Sequence, residues 1–187
     1  MRARHALPDC VAEMLVARAR AEAARLGVAM AVAVVDAEGG LQWFARMEGT
    51  LPVSTDLAVD KAYTAAAIRM PTDQLGRLAQ PGAPLYGIGN THGGRIVLFG
   101  GGLPLVLDGR VVGGIGVSGG SVEQDIAAAS PAAALLGEME RQAKRLGRLK
   151  AEVPAVLLPS LIGALERALP ESSRGDAVVG GVALALS

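Results

Sequence analysis

Apolar residues recur at helical spacing near the start of the chain and predict an amphipathic helix that ends at Gly27. Val11, Met14, Leu15 and Ala19 form one apolar stripe, and arginines occupy the opposite side. The stripe is the face that we expect to pack against the rest of the domain.

Two tight-turn signals between alternating apolar segments predict two β-hairpins. The first turn covers residues 37–40, and the second is Asp108-Gly109, a dipeptide that favours the type I′ turn. A further strand is expected at about residues 95–99. Because short turns join antiparallel neighbours, the sheet is predicted to be antiparallel.

Helical patterns fill the gaps between the strand pairs. The segment around residues 54–70 has Ser54 as its predicted N-cap and stops before Pro71, and a shorter helix follows it. After Gly120 a long helical pattern begins with Ser121 as N-cap, and Pro131 is expected to kink or divide it. The order α-β-β-α-α-β-β-β-α places the chain in the α+β class.

The predicted domain spans residues 1–147, and residues 148–187 read as a C-terminal appendage. The tail combines three prolines, a short amphipathic helix and an apolar, strand-like end. We expect it to dock on the domain or on a neighbouring subunit.

Composition narrows the possible functions. The chain has 187 residues, of which 51% are hydrophobic and 3% aromatic, with 18 basic and 18 acidic residues. A formal net charge of zero and few aromatic platforms argue against a nucleic-acid binder, and no apolar run is long enough to span a membrane. The apolar, uncharged balance favours a homo-oligomer. A single cysteine, Cys10, and no evident targeting segment favour a cytoplasmic protein.

Glycine makes up nine of the 22 residues from Phe99 to Gly120. A phosphate loop is disfavoured here, because residues 118–125 contain no lysine or arginine and because Glu123 and Asp125 already lie at the positive end of the next helix. The glycines instead indicate close approach to the sheet by another backbone, a helix or a flat ligand.

Few residues have the chemistry of a reactive site. Asp60 lies one turn after Asp56 on the predicted helix, and Lys61 follows it on a largely apolar surface, where it is placed to reach a ligand or partner. His92 lies in a glycine-rich loop, and the other histidine, His5, lies near the N-terminus. No spacing typical of a zinc site is present.

The segments "DKAYTA", "GRIVLFGGGLPL" and "GGIGVSGGSVEQD" resemble the family of haem-degrading and haem-binding proteins of the GlcG/HbpS type, and most closely the C-terminal domain of PduO-type proteins. The resemblance covers roughly residues 8–145. It implies an antiparallel five-stranded sheet with helices packed around it, a profilin-like α/β sandwich, assembled into dimers or larger rings such as octamers. It also implies haem or corrinoid-related ligands and a link to cobalamin or diol metabolism.

The resemblance marks a cleft or subunit contact at the positions that match its motifs. These are Asp60, Lys61, Thr64, Arg95, Gly100, Gly101, Gly102, Pro104, Gly116, Ser118, Gly119, Gly120, Gln124 and Asp125. Haem-binding relatives of the PduO type supply an axial histidine from the first helix, but residues 11–26 contain none, which leaves His92 or His5 as the iron ligand. The Glu-x-x-Glu pair of iron-storing relatives is absent from the sequence, and so is the adenosyltransferase domain of PduO.

Three functions follow from these observations. The first is an oligomeric accessory protein that binds a small ligand such as haem or a corrinoid-related tetrapyrrole. The predicted binding residues are Asp60, Lys61, Thr64, His92, Arg95, Gly114, Gly116, Ser118 and Gly119, with His92 as the metal ligand. The second is a cofactor-free enzyme for a small organic acid or aldehyde, with Lys61, Asp60 and His92 as candidate catalytic groups. The third is a structural partner in a metabolic assembly.

Overall fold

The computed structural model describes residues 7–152, and of residues 148–152 only the helix backbone. The elements in chain order are α1 (Asp9–Arg25), β1 (Ala31–Asp36), β2 (Leu41–Arg46), α2 (Val53–Ile68), α3 (Thr72–Leu78), β3 (Gly102–Leu107), β4 (Arg110–Ser118) and α4 (Val122–Glu152), with two 3-10 turns, Ile88–Asn90 and His92–Gly94, before β3.

Two compact units divide the chain, Met1–Gly137 and Glu138–Ser187. The four strands of the described residues, and the site residues discussed below, belong to the first unit. The predicted domain boundary at residue 147 stays a prediction. The predicted appendage lies outside the described residues, except for the helix backbone at 148–152.

Both predicted hairpins are present. Strands β1 and β2 pair antiparallel, as do β3 and β4, and β4 also pairs antiparallel with β1, which gives the order β2-β1-β4-β3. Asp108 and Gly109 both have positive φ, 49° and 71°, as a type I′ turn requires. The α+β class and the antiparallel sheet are therefore confirmed.

The sheet of the described residues has four strands, and the prediction of a fifth was wrong. Residues 95–99 have the apolar composition of a strand, and Ile96 and Val97 are buried, but they form no ladder with β3. The Val97 N–H donates instead to the hydroxyl of Thr64 at 3.0 Å. This backbone donor is satisfied by a side chain of helix α2 rather than by a neighbouring strand, and residues 96–98 are irregular chain.

Helix α2 lies across one face of the sheet. Ala58, Ala62 and Ala66 of the helix form one buried cluster with Ala31, Ala33 and Val35 of β1. The opposite face of β1 carries Val32 and Val34, which are also fully buried, and α1 contacts β1 and β2. With a core of alanine and valine, the layers come close together.

The glycines of β4 explain how closely α2 approaches. A Cβ atom at Gly116 would lie 2.0 Å from the Ala58 carbonyl oxygen, and one at Gly114 would lie 2.2 Å from that of Ala62. Both distances are far inside van der Waals contact. Of the three occupants that the glycine pattern allowed, the structure therefore shows a helix.

The helix ends differ in part from the predictions. Ser121 caps α4 as predicted, because its backbone N–H donates to the Gln124 side chain at 2.9 Å and its hydroxyl accepts the Gln124 N–H at 3.3 Å. Ser54 is not the cap of α2, which begins at Val53 after Pro52 and encloses Ser54 as a buried residue. Pro131 does not divide α4, which runs from Val122 to Glu152.

Candidate functional site

Helix α2 presents a polar face to the loop that precedes β3. Asp60, Tyr63 and Thr64 lie three and four residues apart, and therefore on neighbouring positions of one helix surface. The loop residues opposite them are His92 and Arg95. We call these five residues the α2–loop cluster.

Arg95 is the centre of the α2–loop cluster. Its Nε donates to Asp60 Oδ1 at 2.8 Å, and its guanidinium carbon lies 4.0 Å from the centroid of the Tyr63 ring. The Arg95 side chain is 43% exposed and that of Asp60 27%. The guanidinium is thus held by a charged hydrogen bond and by an aromatic face while much of it stays open to solvent.

Thr64 fixes the backbone on which Arg95 is carried. Its hydroxyl is fully buried and lies 2.7 Å from the Asp60 carbonyl oxygen and 3.2 Å from that of Arg95. It also accepts the Val97 N–H at 3.0 Å. Because one hydroxyl joins α2 to both ends of residues 95–97, the loop is tied to the helix next to the site.

His92 is the exposed member of the α2–loop cluster. Its backbone has a left-handed φ of 51°, and Gly93 and Gly94 after it also have positive φ. The imidazole meets the Tyr63 ring edge-on, with 6.3 Å between ring centroids. It forms no hydrogen bond with any other described residue, so both ring nitrogens are available to a ligand.

The Tyr63 ring contacts both the Arg95 guanidinium and the His92 imidazole, and Tyr63 was missing from the predicted binding residues. Beyond Arg95 and His92, its ring lies against the first hairpin turn, where a Cβ at Gly39 would come within 2.6 Å of it. The available signal was its position three residues after Asp60 on the same helix. That spacing predicts which face of the helix Tyr63 shares with Asp60, but it does not predict which loop covers that face.

Lys61 lies on a different side of α2 and is fully buried. Its Nζ donates to Asp125 Oδ2 at 2.6 Å and to the Val117 carbonyl oxygen at 2.9 Å, and it lies 4.9 Å from the Phe99 ring centroid. Burial lowers the pKa of the ammonium, and the hydrogen bond and charge of Asp125 oppose that shift. A ligand cannot touch this ammonium in the present conformation, so the expectation that Lys61 reaches a ligand does not match its position.

Asp125 completes this buried network. Its second oxygen, Oδ1, accepts the Gly120 N–H at 3.0 Å. The pair therefore joins α2, the end of β4 and the first turn of α4. These contacts are those of a crosslink between elements, and they keep Lys61, the lysine of the enzyme hypothesis, out of contact with solvent.

The remaining predicted binding residues also lie inside the fold. Gly114 and Gly116 are covered by α2, Ser118 is buried, and a Cβ at Gly119 would lie 2.4 Å from the Ala29 carbonyl oxygen. A flat ligand on the glycine strands would have to take the place of the helix. The predicted ligand contact at Gly114 and Gly116 is therefore corrected to a contact between helix and sheet.

Other candidates are not brought together. Asp56 is exposed, whereas Asp60 pairs with Arg95, so the two do not act as a carboxylate pair. His5 lies outside the described residues, and Cys10 is exposed on α1. Within residues 7–152, no group of three His, Cys, Asp or Glu side chains is arranged to hold a metal ion, and no helix has the length and apolarity to cross a membrane.

Comparison with known proteins places the chain in a recognised group. Residues 7–134 match the family model described as "Haem degrading protein HbpS-like". Among proteins of known sequence, the corrinoid adenosyltransferase PduO of Salmonella typhimurium is 46% identical over 114 residues, which are 61% of this chain and 34% of PduO. A 15.0 kDa protein from the dhaT–dhaS intergenic region of Citrobacter freundii is 46% identical over 105 residues, 56% of this chain and 74% of that protein. The chain thus spans about a third of PduO.

Solved structures agree with this grouping. A PduOC complex with haem has 43% sequence identity and a TM-score of 0.67, over 69% of this chain and 94% of that one. The protein ORFY of Klebsiella pneumoniae has 34% identity and a TM-score of 0.68, over 70% and 90%. HbpS of Streptomyces reticuli, in a double-mutant form, has 32% identity and a TM-score of 0.64, over 70% and 87%.

Proposed function

The chain belongs to the HbpS-like family, and we propose that it is an accessory protein that binds haem or a related tetrapyrrole at the α2–loop cluster. The likeness to PduOC, whose structure is a haem complex, supports a tetrapyrrole as the ligand class. The likeness to corrinoid adenosyltransferases supports a role connected with cobalamin metabolism.

The observation that carries the proposal is the exposed His92 imidazole beside Arg95 and Tyr63. Haem iron accepts histidine nitrogen as an axial ligand, and this imidazole has no competing hydrogen bond within the described residues. Tyr63 supplies an aromatic edge and Arg95 a cation, which suit a flat ligand with acidic groups. The donor set of the α2–loop cluster therefore fits the group.

We also propose that the protein is a homo-oligomer. Leu51, Val53 and Leu41 are 60%, 59% and 54% exposed. Contact of such large apolar side chains with water is unfavourable in free energy. Burial between subunits removes that cost. The family resemblance supports dimers or larger rings.

Haemin titration of the purified chain tests the proposal. We expect a shift of the Soret band on binding, and we expect His92→Ala to remove the shift or to weaken binding at least tenfold, about 1.4 kcal/mol. His5→Ala tests the other candidate iron ligand and should bind haemin as the unaltered chain does. Cobalamin, titrated in parallel, tests the corrinoid alternative. A chain that binds neither haemin nor cobalamin would falsify the tetrapyrrole function.

A further inference from the structure

The guanidinium of Arg95 is only partly used by the protein. An arginine has five N–H donors, and the one on Nε is engaged by Asp60. The four donors on the two terminal nitrogens form no hydrogen bond with another described residue. With 43% of the side chain exposed, these donors are accessible from solvent.

The protein nevertheless holds this partly free group in one orientation. Asp60 engages Nε and Tyr63 covers one face of the guanidinium at 4.0 Å. The buried Thr64 hydroxyl ties the backbone at residues 95–97 to α2. An exposed arginine without such constraints loses side-chain entropy when it binds a ligand, whereas a positioned one loses less.

The edge formed by the two terminal nitrogens matches a carboxylate, which it can bind through two parallel hydrogen bonds. We propose that Arg95 is a preorganised carboxylate anchor, so that the site selects tetrapyrroles with free peripheral carboxylates, with Asp60, Tyr63 and Thr64 as positioning residues. This inference rests on the function proposed above and adds the chemical feature by which the site recognises its ligand.

The position of His92 supports a single ligand that contacts both residues. Arg95 Cζ and the imidazole lie against the same Tyr63 ring, with centroid distances of 4.0 and 6.3 Å. The two groups are therefore no more than about 10 Å apart. A tetrapyrrole with acidic side chains on its rim can place a metal at one and a carboxylate at the other.

Haemin and haemin dimethyl ester separate the anchor from the rest of the site, because the ester keeps the iron and the flat ring but has no carboxylate. We expect haemin to bind the unaltered chain about tenfold or more tightly than the ester, since hydrogen bonds to charged groups are the strong ones. Arg95→Lys, which keeps the charge but loses the two-pronged geometry, should remove most of this difference by weakening haemin alone.

Arg77→Lys provides a matched control. Arg77 is an exposed arginine paired with Asp73 on α3 at 3.1 Å, with no aromatic ring against it among the described contacts. The Arg77→Lys variant should bind both haemin and the ester with unchanged affinity. If Arg77→Lys weakens haemin as much as Arg95→Lys does, the effect belongs to general surface charge and the anchor is ruled out.

Two variants of Tyr63 test whether its ring positions the Arg95 guanidinium. Tyr63→Phe keeps the ring over which the guanidinium lies and should preserve the preference for haemin over the ester. Tyr63→Leu removes the ring and should reduce the preference several-fold, with less change in ester binding. Equal behaviour of the two variants would contradict a positioning role for the ring.

The outcomes distinguish the two proposals. If haemin and its ester bind equally and both depend on His92, the tetrapyrrole function stands and the carboxylate anchor is wrong. If neither haemin nor its ester binds, the carboxylate anchor is wrong, and if cobalamin does not bind either, the proposed function itself fails.

Discussion

At position 61 a lysine ammonium lies in the interior with no exposed surface. Taking this charge out of water is costly, and the cost is offset by the Asp125 carboxylate and the Val117 carbonyl oxygen. In the sequence, a charged residue on a largely apolar helix predicts a side chain that points outwards to a ligand or partner. The residue instead turns inwards, because the Asp125 carboxylate and the Val117 carbonyl oxygen supply it with acceptors.

Lys61→Met is expected to destabilise the chain by about 3–5 kcal/mol, since it leaves Asp125 buried without its partner. The double variant Lys61→Met/Asp125→Asn should recover part of this loss. Urea unfolding followed by circular dichroism measures both. A single variant as stable as the unaltered chain would show that the pair is not a structural crosslink, and would return Lys61 to the list of functional candidates.

At the scale of elements, the contact between β4 and α2 decides what the glycine-rich segment does. Alternate residues of β4 point toward the helix, and Gly114 and Gly116 are the ones whose missing side chains leave room for its backbone. The strand is therefore glycine-rich on the helix side, while Ile115 and Val117 on the other side are large and buried. Packing within one chain accounts for this alternation.

Gly116→Ala is expected to destabilise the chain by at least about 2 kcal/mol, because the added methyl would require α2 to move away from the sheet. Gly147→Ala is a control with no atom within 4 Å of the added carbon, and in a helix it should be neutral or stabilising by up to about 1 kcal/mol. Denaturant midpoints compare the two. If Gly116→Ala is tolerated as well as the control, the helix is not seated on the strand as described.

At the scale of the whole molecule, the notable feature is apolar surface that stays exposed to water in a single copy of the chain. Zero formal net charge gives little repulsion between copies, and several large apolar side chains are exposed. Both features favour self-association.

The purified chain is therefore expected to have a solution mass of at least twice its 19.0 kDa. Light scattering coupled to size-exclusion chromatography measures it. Leu51→Ser/Val53→Ser should shift the distribution toward smaller species, because it reduces the apolar area available for burial between subunits. A monomeric chain at high concentration would contradict the oligomer proposal.

Local chemistry determined much of this protein from the sequence alone. The two hairpins follow from turns of a few residues, the Ser121 cap from contacts three residues apart, and the α+β class from the order of these elements. Such features depend on φ and ψ preferences and on side-chain periodicity, which neighbouring residues carry with them. The resemblance to the HbpS-like family, confirmed by the match over residues 7–134, also rests on local motifs.

Only the tertiary structure decided what the polar and glycine residues contact. Lys61 meets Asp125 across 64 positions and Arg95 meets Asp60 across 35. The glycines of β4 meet a helix about 50 residues earlier, and the expected strand at 95–99 is diverted by the hydroxyl of Thr64. No local preference specifies such pairings, since they arise when separate elements pack and bury their donors and acceptors together. The site that we propose accordingly lies at the α2–loop cluster rather than on the glycine strands.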